Sequence, residues 1–126
     1  MMKTAVALIS LVLFLLASSA LFSYAGKAIE GEWEGTLEVQ GQSLKIIVKI
    51  AVDADGTLKA TLDSPDQGAM DVPLDNVSFE NNTFSFELTA AQGAYEGKLK
   101  ESGDIIEGEW SQGGMSLPLN LKRKQK

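Results

Sequence analysis

From Ile29 to Leu121 the apolar residues of this chain recur at alternate positions, and that period fits a β-strand with one buried face far better than a helix. Ile29, Gly31, Trp33, Gly35, Leu37 and Val39 share one side of the first run, with Glu30, Glu32, Glu34, Thr36 and Glu38 on the other. A helix would scatter those glutamates around its girth; a strand aligns them in water. Leu44, Ile46, Val48, Ile50 and Val52 form the next buried row, with Lys45 and Lys49 outside. Facing rows of glutamate and lysine favour antiparallel neighbours through cross-strand charge contacts.

Turn chemistry separates six further runs. Asp53-Ala54-Asp55-Gly56 leads into Leu58, Ala60 and Leu62, and Ser64-Pro65-Asp66-Gln67-Gly68 precedes a run from Met70 to Phe79. Glu80-Asn81-Asn82 turns the chain into Phe84, Phe86 and Leu88, and Ala91-Gln92-Gly93 opens the strand of Tyr95, Gly97 and Leu99. Glu101-Ser102-Gly103 opens Ile106, Gly108 and Trp110; Gln112-Gly113-Gly114 opens Met115, Leu117, Leu119 and Leu121. The expected fold is all-β: a small antiparallel up-and-down barrel of about eight strands, or a tight sandwich.

Two internal echoes sharpen this. Ile29-Glu30-Gly31-Glu32-Trp33 recurs unchanged as Ile106-Glu107-Gly108-Glu109-Trp110, and Gln67-Gly68-Ala69-Met70 to Asp75 is echoed by Gln112-Gly113-Gly114-Met115 to Asn120. The second echo suggests two four-strand halves, 29–79 and 83–121, arising by duplication or by convergent hairpin chemistry. Pro73 and Pro118 lack a ladder donor, so their strands should lie at an edge or carry a bulge, and the in-out register breaks between Leu74 and Val77. A glycine on the buried face opens a slot for a large neighbour. Packing Trp33 near Trp110 would help to close the sheet.

The first 25 residues read differently. Met1-Met2-Lys3 precedes an apolar stretch to Leu16, then Ser23-Tyr24-Ala25 puts small residues at the −3 and −1 positions of a signal-peptidase site. Residues 1–25 are therefore expected to be a helical signal peptide cleaved after Ala25, with Ala20 as second choice and an uncleaved anchor as the rival reading. Residues 26–121 form the barrel domain and 122–126 a solvated basic tail. The mature domain is expected in the periplasm or outside the cell, with no stable membrane span.

Cleavage removes Lys3, leaving ten Lys and Arg against seventeen Asp and Glu, a net charge of −7. That disfavours nucleic acid and anionic lipid surfaces. The chain contains no His and no Cys, so Ser-His-Asp and Cys-His arrangements are impossible, and the usual zinc sets lack ligands. Glu30, Glu32, Glu34, Glu107 and Glu109 lie on outward faces where nothing raises a pKa for acid catalysis. Asp53-x-Asp55-Gly56 resembles the start of a calcium loop without its distal Glu and reads as a hairpin turn. No catalytic residue, metal or cofactor is expected.

The remaining candidates for function are Trp33, Met70, Phe79, Phe84, Phe86, Tyr95, Trp110 and Met115, which either fill the core or line the barrel interior or mouth for a small apolar ligand. Gln67, Gln92 and Gln112, each before a glycine, are expected to gather at one end as a polar rim.

Ile29-x-Gly31-x-Trp33-x-Gly35-x-Leu37, Leu62-Asp63-Ser64-Pro65-Asp66-Gln67-Gly68, Tyr95-x-Gly97-x-Leu99 and Ile106-x-Gly108-x-Trp110-x-Gln112-Gly113 together look like a known module. They resemble the small β-rich accessory domain that precedes the catalytic domain in some secreted bacterial α/β-hydrolases. The likeness spans nearly all of the mature chain but stops where the hydrolase would begin, so it implies a free-standing accessory module and no catalytic residue. A looser resemblance, through Gly31-x-Trp33, is to lipocalin and avidin barrels of the calycin kind. The functional expectation is an exported, non-catalytic module binding a protein, a glycan or a small apolar ligand; the alternative is a lipocalin-like carrier.

Overall fold

The computed structural model describes residues 26–125, and the expected signal segment lies outside the described residues. Ten strands follow one another: β1 (Gly31–Val39), β2 (Gln42–Val52), β3 (Leu58–Ser64), β4 (Ala69–Pro73), β5 (Asp75–Glu80), β6 (Thr83–Leu88), β7 (Gly93–Leu99), β8 (Ile105–Gln112), β9 (Met115–Pro118) and β10 (Leu121–Arg123). Short 3-10 turns at Pro65–Gln67 and Thr89–Ala91 lead into β4 and β7. Every ladder is antiparallel, in the order β4-β3-β2-β1-β10-β8-β7-β6-β5, with β9 also on β8. The result is a small, nearly closed all-β barrel.

Ten strands correspond to the eight runs of the sequence because each Pro-Leu run bends in the middle. β4 pairs with β3 but β5 pairs with β6; β9 pairs with β8 while β10 reaches β1 as well. Proline supplies no N–H at the bend. The leucine after it does: Leu74 N–H donates to Ala60 and Leu119 N–H to Gly108. Beyond Leu74 the β5–β6 register slips between Asp75 and Ser78, with Asn76 in left-handed backbone at φ 49°, the bulge that the broken alternation required.

The two halves, β1–β5 and β6–β10, share one strand plan. A cross-strand row Trp33–Val48–Leu62–Val72 in the first matches Phe86–Tyr95–Trp110–Leu117 in the second. Trp33 is thus equivalent to Phe86, and Trp110 to Leu62. The verbatim pentapeptide is not the structural repeat; the Gln-Gly-x-Met and Pro-Leu echo is.

The two indoles do not meet, contrary to the expectation from the sequence. Trp33 lies opposite Arg123 while Ile106 lies opposite Leu121, which places Trp110 about six residues further along the strands, roughly 20 Å. Trp33 is fully buried at one end, its Nε1 donating to Ile29 O at 2.9 Å. Arg123 covers it with its guanidinium carbon 4.4 Å from the ring centre, and donates to the carbonyls of Ala28, Glu30 and Gly103. The basic stretch expected as a solvated tail therefore begins as strand β10, because Arg123 closes the barrel floor.

Candidate functional site

In a meander every second turn falls at the same end. Gln40-Gly41, Gln67-Gly68, Gln92-Gly93 and the Gln112-Gly113-Gly114 turn all lie at the end away from Trp33. The sequence reading named three of these turns and missed the first. Here the half-sheets face each other without a ladder: β1 pairs with β10 only through Trp33 and Glu34, and β4 pairs with β3 alone. Between them lies a hollow of about 200 Å³. Leu37, Ile46 and Leu62 line one wall and Leu88, Trp110 and Leu119 the other, with Ser64, Gln67 and Gln112 as its polar side chains.

Trp110 owes its position to a missing side chain. A Cβ built at Gly93 would lie 2.2 Å from Trp110 Cζ2, so the indole occupies the slot that glycine leaves. Its Nε1 donates to Gln112 Oε1 at 3.0 Å, and Gln112 Nε2 donates to Ala91 O at 2.9 Å. One amide thus ties the indole to the 3-10 turn that leads into the neighbouring strand β7. Behind Trp110 stand Phe86 and Tyr95, stacked at 5.2 Å, and the Tyr95 hydroxyl donates to Leu119 O at 2.9 Å. Burial pushes the phenol far above its ordinary pKa, which keeps it a donor.

The structure divides the expected cavity residues three ways. Gln67, Trp110 and Gln112 come together at the mouth. Trp33, Phe84, Phe86 and Tyr95 pack the core, and Phe79 lies half-buried against it. Met70 and Met115 are 58% and 50% exposed, with Met115 opposite Gln112 beside the last turn. The mouth leucines were missed because they carry no signal beyond inward alternation. Four hollows among the described residues are larger, at about 640, 670, 410 and 420 Å³; the first two are open grooves bordered by charged side chains such as Glu96, Glu107 and Lys49, and the last is an open groove beside the Gln92 and Gln112 turns.

The sequence did not single out one buried carboxylate. Asp63 is 4% exposed; Asp71 N–H donates to its Oδ1 at 2.7 Å and Lys49 Nζ lies 3.1 Å from its Oδ2. Asp71, whose N–H it holds, has left-handed backbone at φ 53°, where β3 and β4 slip register. Asp63 therefore latches this irregularity. The second carboxylate on Lys49, Asp71, is 71% exposed, so the pair is not a desolvated acid-base dyad. Among the described residues no three Asp, Glu, His or Cys side chains form a metal-ligand set. Asp53-Ala54-Asp55-Gly56 forms a hairpin turn, with Asp55 Oδ1 accepting Thr57 N–H.

The Asp71 N–H and then the Lys49 ammonium hold the Asp63 carboxyl below the usual range, against the opposing effect of burial. A lowered folded-state pKa contributes stability that is complete above the unfolded value of about 4, and is lost as pH falls through the folded value. Asp63→Asn is expected to flatten the decline in stability below about pH 4. Urea unfolding across that range measures it, and an unchanged acid slope would remove Asp63 from the account.

No protein-family model matches the chain, and no curated protein matches it significantly.

Proposed function

We propose that this protein is an exported, non-catalytic binding module that takes one small apolar group of its ligand into the mouth beside Trp110. The observation that carries this reading is the hollow itself: largely apolar, without a charged residue among the described residues that line it, and bordered by an indole that donates to Gln112. A dry apolar cavity of about 150 Å³ is enough for benzene, whereas drug-sized ligands occupy about 300–1,000 Å³. At about 200 Å³ the mouth suits a ring or a short alkyl end, and supports a carrier of whole lipids poorly.

Export rests on the signal-like segment, and the non-catalytic reading on the absence of His and Cys with the commitment of Asp63 to Lys49 and Asp71. The resemblance to the accessory domain of secreted hydrolases supports the same class, with a hydrolase as a partner to be sought.

Trp33→Phe leaves Trp110 as the sole indole and so reports on the mouth. Titration with toluene, benzyl alcohol and short-chain esters is expected to shift its emission saturably. Leu62→Phe, which fills the hollow, should abolish the shift while circular dichroism stays native. A flat response across the panel would sink the reading.

A further inference from the structure

The two ends of the barrel differ in charge. The Trp33 end is rich in charge: its turns contain Asp53, Asp55, Lys100, Glu101 and Asp104, with Glu80 at the end of β5 and Arg123 paired with Asp104. The mouth end instead holds Gln40, Gln42, Gln67, Gln92 and Gln112, five of the six glutamines in the chain. The acids next to lining residues are engaged elsewhere: Glu38 by the Ser43 hydroxyl, Asp63 by Lys49 and the Asp71 N–H, Asp66 by the Lys45 N–H, Glu87 by the Asn76 amide. Among the described residues neither a cation nor an anion lines the hollow.

We infer that the mouth selects neutral ligands: an apolar ring or short chain bearing an uncharged hydrogen-bonding head such as an alcohol, ester or ketone. The inference rests on the mouth being the binding site. A carboxylate head would lose its hydration inside an acidic protein and meet no counter-charge, and an ammonium head would meet no carboxylate. Gln112 suits a neutral head. Its Oε1 accepts from Trp110 and its Nε2 donates one hydrogen to Ala91 O, which leaves one N–H and one lone pair. A hydroxyl can engage either, and an ester or ketone carbonyl the N–H. Gln67 extends the uncharged rim; its Oε1 accepts from Ser64 Oγ at 2.7 Å and its amide N–H groups take no part in that bond.

The test compares one skeleton with different heads at neutral pH: toluene, benzyl alcohol, methyl benzoate, benzoate and benzylamine, read by Trp110 emission in the full-length Trp33→Phe domain and by chemical shifts of the mouth leucine methyls in the unsubstituted domain. Benzyl alcohol and methyl benzoate are expected to bind at least tenfold more tightly than benzoate or benzylamine. Toluene is expected to bind at the same methyls. Benzoate or benzylamine binding within threefold of benzyl alcohol would overturn the selection for neutral ligands while leaving the site in place. Absence of binding by both toluene and benzyl alcohol would remove the site itself, and this inference with it.

Discussion

Trp33→Ala is expected to cost about 4 kcal/mol, within the range of about 3–5 kcal/mol for truncating a buried aromatic to alanine. The side chain is fully buried, its indole N–H is satisfied by Ile29 O, and its face carries the Arg123 guanidinium that binds Ala28, Glu30 and Gly103. Truncation leaves a cavity and also removes the platform under Arg123, so the strand that closes the floor loses its anchor. Small domains have about 5–15 kcal/mol in total, and the variant should unfold at a far lower urea concentration. Trp110→Ala is expected to cost about 1 kcal/mol less, because that indole already faces a hollow. The two urea midpoints measure the difference. If the order were reversed, Trp110 rather than Trp33 would be the structural keystone, and the assignment of a floor and a mouth would have to be exchanged.

Gly108→Ala is expected to cost about 3 kcal/mol, at the upper end for overpacking. A Cβ there would lie 2.4 Å from the Tyr95 hydroxyl and 2.6 Å from Glu96 O, and the second of these is backbone that moves only with the strand. Tyr95 has no other place to go, since its hydroxyl is bound to Leu119 O and its ring is stacked on Phe86. Gly31 is the same letter of the same pentapeptide, yet glycine is needed there for another reason: its φ is +130°, which an L side chain rarely adopts. Gly31→Ala is expected to cost about 1–2 kcal/mol through backbone strain, with no change around Tyr95. Thermal unfolding of both variants, with near-ultraviolet circular dichroism of the tyrosine, separates the two causes. Perturbed tyrosine signals in Gly31→Ala but not in Gly108→Ala would contradict both.

Much of this was legible in the residues. Alternation from Ile29 onward marked the strands and their inward faces, because a two-residue period leaves a buried face no other choice. Pro73 and Pro118 flagged the places where a ladder must break, and each is followed by a bend. The Gln-Gly turns were correctly suspected of sharing an end. The candidate site was less legible. Trp33 and Trp110 stand in identical pentapeptides, but one became floor and the other mouth, and nothing within five letters distinguishes those positions. Leu37, Leu62 and Leu119 look like any inward leucines. Asp63 looks like an outward acid and is instead the latch of a register slip.

The sequence by itself determined the class of fold, the number of strand runs and the side of each strand that faces inward. These depend on local period and turn chemistry, which act between near neighbours. The tertiary structure alone decided which end opens, which glutamine holds Trp110 and why each glycine is required. Those depend on contacts between strands: Gly93 meets Trp110 and Gly108 meets Tyr95 across the β7–β8 ladder, and Arg123 meets the chain near its start where the barrel closes. Such contacts arise from the register of paired strands and from closure of the sheet, and neither leaves within one strand a local pattern to read.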